Sequence, residues 1–281
     1  NRIPMKNITH PASPVILEQK PPNLSKVNFD QALIESKSQY TKALKSCQER
    51  LLQIQQAYYR QGKRAIIVFE GWDASGKGGV IRRISEKLDP RGFRVYPISA
   101  PHPDEQGRHY LYRFQTRLPK PGTLAIFDRS YYGRVLVERV EGFAPETAWQ
   151  RAYQEINEFE RMLTDDGVHL IKFFLHITPE EQLKRFELRL NTPEKQWKLT
   201  EEDIRNRLKW DDYTHASNDM FRFTSTEASP WNVVPANHKW SMRVAVMQKL
   251  NDQLVKGVDI TPPALDPKLV KAAKKHLGLE I

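Results

Sequence analysis

Gly71-Trp72-Asp73-Ala74-Ser75-Gly76-Lys77-Gly78-Gly79 follows directly on the apolar run Ala65–Phe69 and opens onto a segment with helical spacing. A strand, a glycine loop, a lysine and a helix in that order constrain the fold more than any other feature of the chain. Glycines let backbone N–H groups converge on phosphate oxygens, the helix N-terminus adds the positive end of its dipole, and Lys77 adds a point charge. Gly71, Ala74, Ser75, Gly76, Lys77, Gly78 and Gly79 are therefore candidate phosphate-binding residues, with an ordinary turn as the structural alternative. Such a loop normally follows its lysine with Ser or Thr, whose hydroxyl holds Mg²⁺; here the position is Gly78. Asp73 lies inside the loop, where bound phosphates would repel a carboxylate unless a divalent cation sat between them. It is a candidate metal ligand, with turn stabilisation as the bland alternative.

The rest of the chain fits one architecture. Candidate strands are residues 65–69, 93–99, 123–127, 168–177 and 231–234. Helices are expected at about 77–88, 104–117, 130–140, 146–165, 178–190, 201–222 and 240–255. That alternation predicts an α/β fold, a parallel five-stranded sheet flanked by helices. Before it, Tyr40, Leu44, Cys47, Leu51, Ile54 and Tyr58 recur at helical spacing within 29–61. Residues 1–28, with five prolines, read as an extended N-terminal arm, 29–255 as the domain and 256–281 as a C-terminal tail. Thr178 reads as an N-cap with a capping box, and Thr200 with Asp203 as a looser version of the same signal.

A second chemical element is Thr123-Leu-Ala-Ile-Phe-Asp128, an apolar strand ending in a carboxylate, followed by Arg129. A strand-end Asp beside a phosphate loop is what a Walker B metal ligand looks like, and Arg129 is placed to counter charge on a transferred phosphoryl group. A salt bridge to a neighbouring carboxylate is its structural alternative. The third element is basic: Arg185 and Arg189 share a helix face and can aim at one anion, with Lys195 and Lys198 on the loop that follows. Residues 184–205 are thus expected to form a lid, although a plain solvated helix carries similar charges. Arg82 and Arg83, on the helix after the glycine loop, are the other candidates to line a phosphate track.

Net charge supports this placement. The chain carries +10, and sixteen basic against eight acidic side chains fall within residues 60–139. A basic balance admits a nucleic-acid module, but the chain lacks such a module's motif and its aromatics interleaved with basic residues, so no nucleic-acid partner is expected. No apolar run approaches the roughly 18 residues of a membrane span, and no signal-peptide pattern opens the chain. With a single Cys47, a cytoplasmic location is expected.

Three stretches carry a family resemblance: Gly71–Gly79, the run from Phe127-Asp-Arg-Ser-Tyr-Tyr132 to Phe143, and Ser225-Thr-Glu-Ala-Ser-Pro-Trp231. The chain resembles the family-2 polyphosphate kinases over about residues 30–255. The resemblance implies a P-loop kinase fold with a helical lid, and phosphoryl transfer between inorganic polyphosphate and an adenine or guanine nucleotide. By the same resemblance Asp73 and Asp128 hold Mg²⁺ (or Mn²⁺), while Lys77, Arg129 and a lid arginine such as Arg189 contact phosphates. Arg134 and Glu138 are assigned to the nucleotide, and a homo-oligomer is expected. Gly78 conforms to this family. The run after Asp128 is most similar to the branch that phosphorylates AMP, often built as two fused copies; the single copy here leaves AMP, ADP or both as acceptor. An ATP-dependent kinase on the same fold is the rival reading.

Overall fold

The computed structural model describes residues 11–30 and 33–279. Its central strand is β1 (Arg64–Gly71), where Ala65 to Phe69 are all buried. A strand apolar on both faces needs cover on both, which a parallel sheet with crossover helices supplies. β1 lies between β3 (Leu124–Asp128) and β4 (Val168–His176), and β2 (Phe93–Pro97) and β5 (Trp231–Pro235) form the edges. The order is β2-β3-β1-β4-β5, parallel throughout. All five expected strands are present. The register pairs Phe69 with Asp128 and Gly71 with Leu175, so the glycine loop and the strand-end Asp emerge together at the carboxyl end of the sheet, where open α/β sheets bind ligands.

The helices are α1 (Lys37–Gln61), α2 (Lys77–Ser85), α3 (Tyr112–Gln115), α4 (Val137–Val140), α5 (Glu146–Asp165), α6 (Pro179–Leu190), α7 (Glu201–Leu208), α8 (Trp210–Thr224), α9 (Lys239–Leu254) and α10 (Pro267–Leu277). α1 starts with a reciprocal capping bond between Ser36 and Gln39 and ends at left-handed Gly62. Its Leu51, Ile54 and Tyr58 are fully buried, and the Tyr58 hydroxyl donates to Leu254 O of α9 at 2.9 Å. Among the described residues no helix is long and apolar enough to cross a membrane.

Several expectations are corrected. Residues 104–117 form turns with only the single helical turn α3: Gly107 sits at φ 72°, and Arg113 and Arg117 close on Glu105 at 3.1 and 2.7 Å, holding the chain in a compact loop. The expected helix 201–222 is broken at Lys209, whose φ and ψ are −107° and 32°. Thr200 and Asp203 form the full capping box, whereas Thr178 caps α6 without the reciprocal bond. The N-terminal arm is docked over its described part: Leu17 bridges Thr226, and Glu18 N donates to Ser225 O at 2.9 Å. Residues 1–10 of that arm, residues 31–32 and the last two residues of the tail lie outside the described residues. The tail itself contains α10, which buries no residue.

Candidate active site

The loop is built by close approach. Gly71 stands at φ 141°, and a Cβ there would lie 2.5 Å from Leu175 O; only glycine lets β1 leave the sheet against β4. Among the described residues just two non-glycine residues have positive φ, Ala74 at 62° and Arg129 at 64°. One follows β1 and the other follows β3, so backbone strain concentrates at this end of the sheet. Gly76, at φ 107°, caps α2. Lys77 is buried, and its Nζ donates to Gly71 O at 2.8 Å and Trp72 O at 3.2 Å. Ser75 Oγ, in the middle of the loop, is buried without a hydrogen-bond partner.

Burial and the Arg129 charge push the Lys77 ammonium below the usual lysine range, while the Asp73, Asp128 and Glu70 carboxylates act the other way and favour its charged form. Burial works to raise the Asp73 carboxyl, but Lys77, Arg129 and Asn206 outweigh it and hold it below the usual carboxylate range. Arg129 Nη2 donates to Asp73 Oδ1 at 2.8 Å, and its other arm lies 3.6 Å from Glu202 of α7. Arg129 therefore also has the salt bridge of its structural alternative, while 42% of its side chain stays exposed. Asp128 is half-buried at the end of β3. Glu70 behaves differently: burial pushes its carboxyl up to about 7, although the Ser130 hydroxyl donates to it at 2.8 Å.

α6 carries two arginines that sequence spacing places on one face but that differ in surroundings. Arg185 is 5% exposed, and all five of its N–H donors are engaged. Nε donates to Glu181 at 2.6 Å, Nη1 to Ala74 O and Ser75 O at 2.8 and 3.0 Å, and Nη2 to Ala236 O and Asn237 O at 2.7 and 3.0 Å. It braces the loop from behind, joining it to the segment after β5. Arg189 is half-buried and donates to Lys198 O at 2.8 Å, while Lys195 and Lys198 are exposed on the turn Pro193–Lys198. Arg82 is exposed on α2, and Arg83 lies 3.5 Å from Glu86. Arg134 and Glu138 pair with each other at 3.0 Å, with the Arg134 guanidinium over the Tyr110 ring; burial pushes the Glu138 carboxyl up.

Sequence reasoning missed the contacts that come from far along the chain. Asn206 of α7 donates to Asp73 Oδ2 at 2.8 Å, and Gln182 of α6 to Asp73 O at 3.1 Å. Trp72 stacks on Trp210, the first residue of α8, with ring centroids 3.6 Å apart and planes within 4°. The Trp72 indole donates to His176 Nδ1 at 2.7 Å, and burial holds that imidazole down at about 4, so it stays neutral. No local sequence signal marks Trp210: the break at Lys209 that starts α8 there is seen only in the structure.

Among the described residues no group of three or more His, Cys, Asp or Glu converges, so a closed protein cage for a metal is not formed. Asp73 and Asp128 offer hard anionic oxygens beside a phosphate loop. That donor set fits Mg²⁺ or Mn²⁺, which keep waters and take their remaining ligands from phosphates.

Comparison with known proteins agrees with this geometry. The family described as Polyphosphate kinase 2 matches residues 34–260. A polyphosphate:AMP phosphotransferase of Pseudomonas syringae is 48% identical over 230 residues, which cover 82% of this chain and 46% of that protein. An AMP/ADP-polyphosphate phosphotransferase of Meiothermus ruber is 43% identical over 199 residues, 70% of this chain and 74% of that protein. The crystal structure of polyphosphate kinase 2 from Arthrobacter aurescens superposes with a TM-score of 0.83 at 34% identity, covering 89% of this chain and 91% of that one. The chain spans about half the length of the first of these relatives. With the loop, the sheet order and the family match in agreement, the chain belongs to the polyphosphate kinase 2 family.

Proposed function

We propose that this chain transfers a phosphoryl group between inorganic polyphosphate and a nucleoside mono- or diphosphate, using Mg²⁺ or Mn²⁺. The observation that carries the reading is the buried, unpartnered Ser75 Oγ beside Lys77, in a loop flanked by the Asp73 and Asp128 carboxylates. The names of the Pseudomonas and Meiothermus relatives support polyphosphate as donor and AMP or ADP as acceptor. A reducing, cytoplasmic setting suits the free and buried Cys47.

In the reaction an oxygen of the acceptor's terminal phosphate attacks the terminal phosphorus of polyphosphate. A P–O bond forms as the bond to the bridging oxygen breaks, leaving the polymer one unit shorter. The acceptor oxygen is already ionised, so the step needs positioning and charge neutralisation more than a base. Loop N–H groups and Lys77 hold non-bridging oxygens, and Arg129 counters charge on the moving group. Asp73 and Asp128 would hold the cation, which when bound neutralises charge on the phosphate oxygens. Arg189, Lys195 and Lys198 cover the polyanion from the lid.

The test is a donor assay with Mg²⁺ and AMP, ADP, GMP or GDP in parallel, resolving mono-, di- and triphosphates. Long-chain polyphosphate should yield product. Product from ATP alone would make the chain an ATP-dependent kinase instead. Asp128→Asn should lower turnover about 100-fold or more, as expected for loss of a charge-stabilising group, without lowering the thermal midpoint.

A further inference from the structure

α7 reaches the phosphate loop through one side chain. Asn206 Nδ2 donates to Asp73 Oδ2 at 2.8 Å while Arg129 donates to Oδ1 at 2.8 Å, so both carboxylate oxygens are oriented. The amide itself is fixed from behind, because Asn206 Oδ1 accepts from the Tyr213 hydroxyl at 3.1 Å.

Apolar packing does not explain why α7 lies there. Its Ile204 and Leu208 are 50% and 83% exposed. Polar contacts at the break between α7 and α8 do explain it. Glu141, directly after α4, has a side chain only 5% exposed. It accepts from Lys209 Nζ at 3.0 Å, lies 3.3 Å from Arg205 Nε and 3.5 Å from the Tyr213 hydroxyl. Arg205 precedes the break, Lys209 occupies it and Tyr213 follows it. One carboxylate thus holds both sides of the break against the segment that carries Arg134 and Glu138.

We propose that Asn206 is a positioning residue for the Asp73 carboxylate, and that Glu141 is the anchor that sets it in place. Groups bonded to a ligating carboxylate fix which lone pairs it presents, and losing one typically weakens metal affinity 10- to 100-fold. The bonds Asp73–Asn206–Tyr213, with Glu141 behind them, join the proposed metal side of the loop to the break between α7 and α8 and to the residue after α4. The proposal rests on Asp73 being a metal ligand.

The experiment is direct Mn²⁺ titration by electron paramagnetic resonance on the full chain, with Asn206→Ala, Glu141→Gln, the double variant and Asp73→Asn. Each single variant should weaken Mn²⁺ binding about tenfold, with a matching rise in the Mg²⁺ concentration needed for half-maximal turnover. The double variant should be no weaker than the singles, because both act through the same bond. Unchanged Mn²⁺ affinity in Asn206→Ala overturns the proposal, as do losses that multiply in the double variant. Should Asp73→Asn bind Mn²⁺ as well as wild type, the metal assignment itself falls and takes this inference with it. Urea unfolding of Glu141→Gln identifies a fraction that fails to fold, and Asn206→Ala, at a half-buried helix surface, carries the test independently.

Discussion

Replacing Arg185 by lysine separates a strut from an anion ligand, because the charge stays and the fork goes. The guanidinium satisfies Ala74 O and Ser75 O on the loop, Ala236 O and Asn237 O after β5, and the Glu181 carboxylate. An ammonium has three donors against five, so at least two acceptors lose their partner. Each buried polar group left unsatisfied costs about 1–3 kcal/mol, and the sum expected for Arg185→Lys is about 3 kcal/mol of unfolding free energy, read by urea titration. Turnover should fall with it, since the Ala74 and Ser75 carbonyls that the side chain pins belong to the loop proposed to hold phosphate. A direct anion contact predicts the reverse: lysine keeps the stability and raises the KM for polyphosphate. An unfolding free energy within about 0.5 kcal/mol of wild type would refute the strut.

Two further substitutions address the same end of the sheet. Gly71→Ala forces a methyl to 2.5 Å from Leu175 O at a φ of 141°, so the β1–β4 pair must part; a loss of about 3 kcal/mol or more is expected in thermal or urea unfolding. Glu70 titrates near 7 in the folded chain against an ordinary 4.5. Between those values the folded state keeps a proton that the unfolded chain has released. Stability therefore falls as pH rises through this window, by about 3 kcal/mol in all. Glu70→Gln should flatten that slope; a profile with the wild-type slope would show that another group causes it.

What was legible in the sequence was local. Four of the five strands could be read because each is a short, mainly apolar run with its own boundaries, and the glycine loop because its chemistry lies within nine consecutive residues. The place of Asp128 at the end of β3, opposite Phe69 of β1, could be read because the apolar run stops there. Arg185 could not. Helical spacing shows that it shares a face with Arg189, but not that four carbonyls from two distant loops already surround it. Asn206 lies 133 residues from the carboxylate it touches, and nothing in Glu-Glu-Asp-Ile-Arg-Asn separates it from an ordinary solvated amide.

The strained residues show why local reading stops at this site. Neither Ala74 nor Arg129 is a residue type that favours positive φ, and each such placement costs about 1–3 kcal/mol. Consistent local preference is what makes sequences readable, so a position held against its preference must be held by partners elsewhere. Here those partners are identifiable: Arg129 N donates to Phe69 O at 2.9 Å across from β1, and Ala74 O receives Arg185. The strain therefore depends on the struts. Loosening Arg185 releases Ala74 from the conformation that aims the loop, which is why a substitution behind the phosphate cradle is expected to act on turnover as well as on folding.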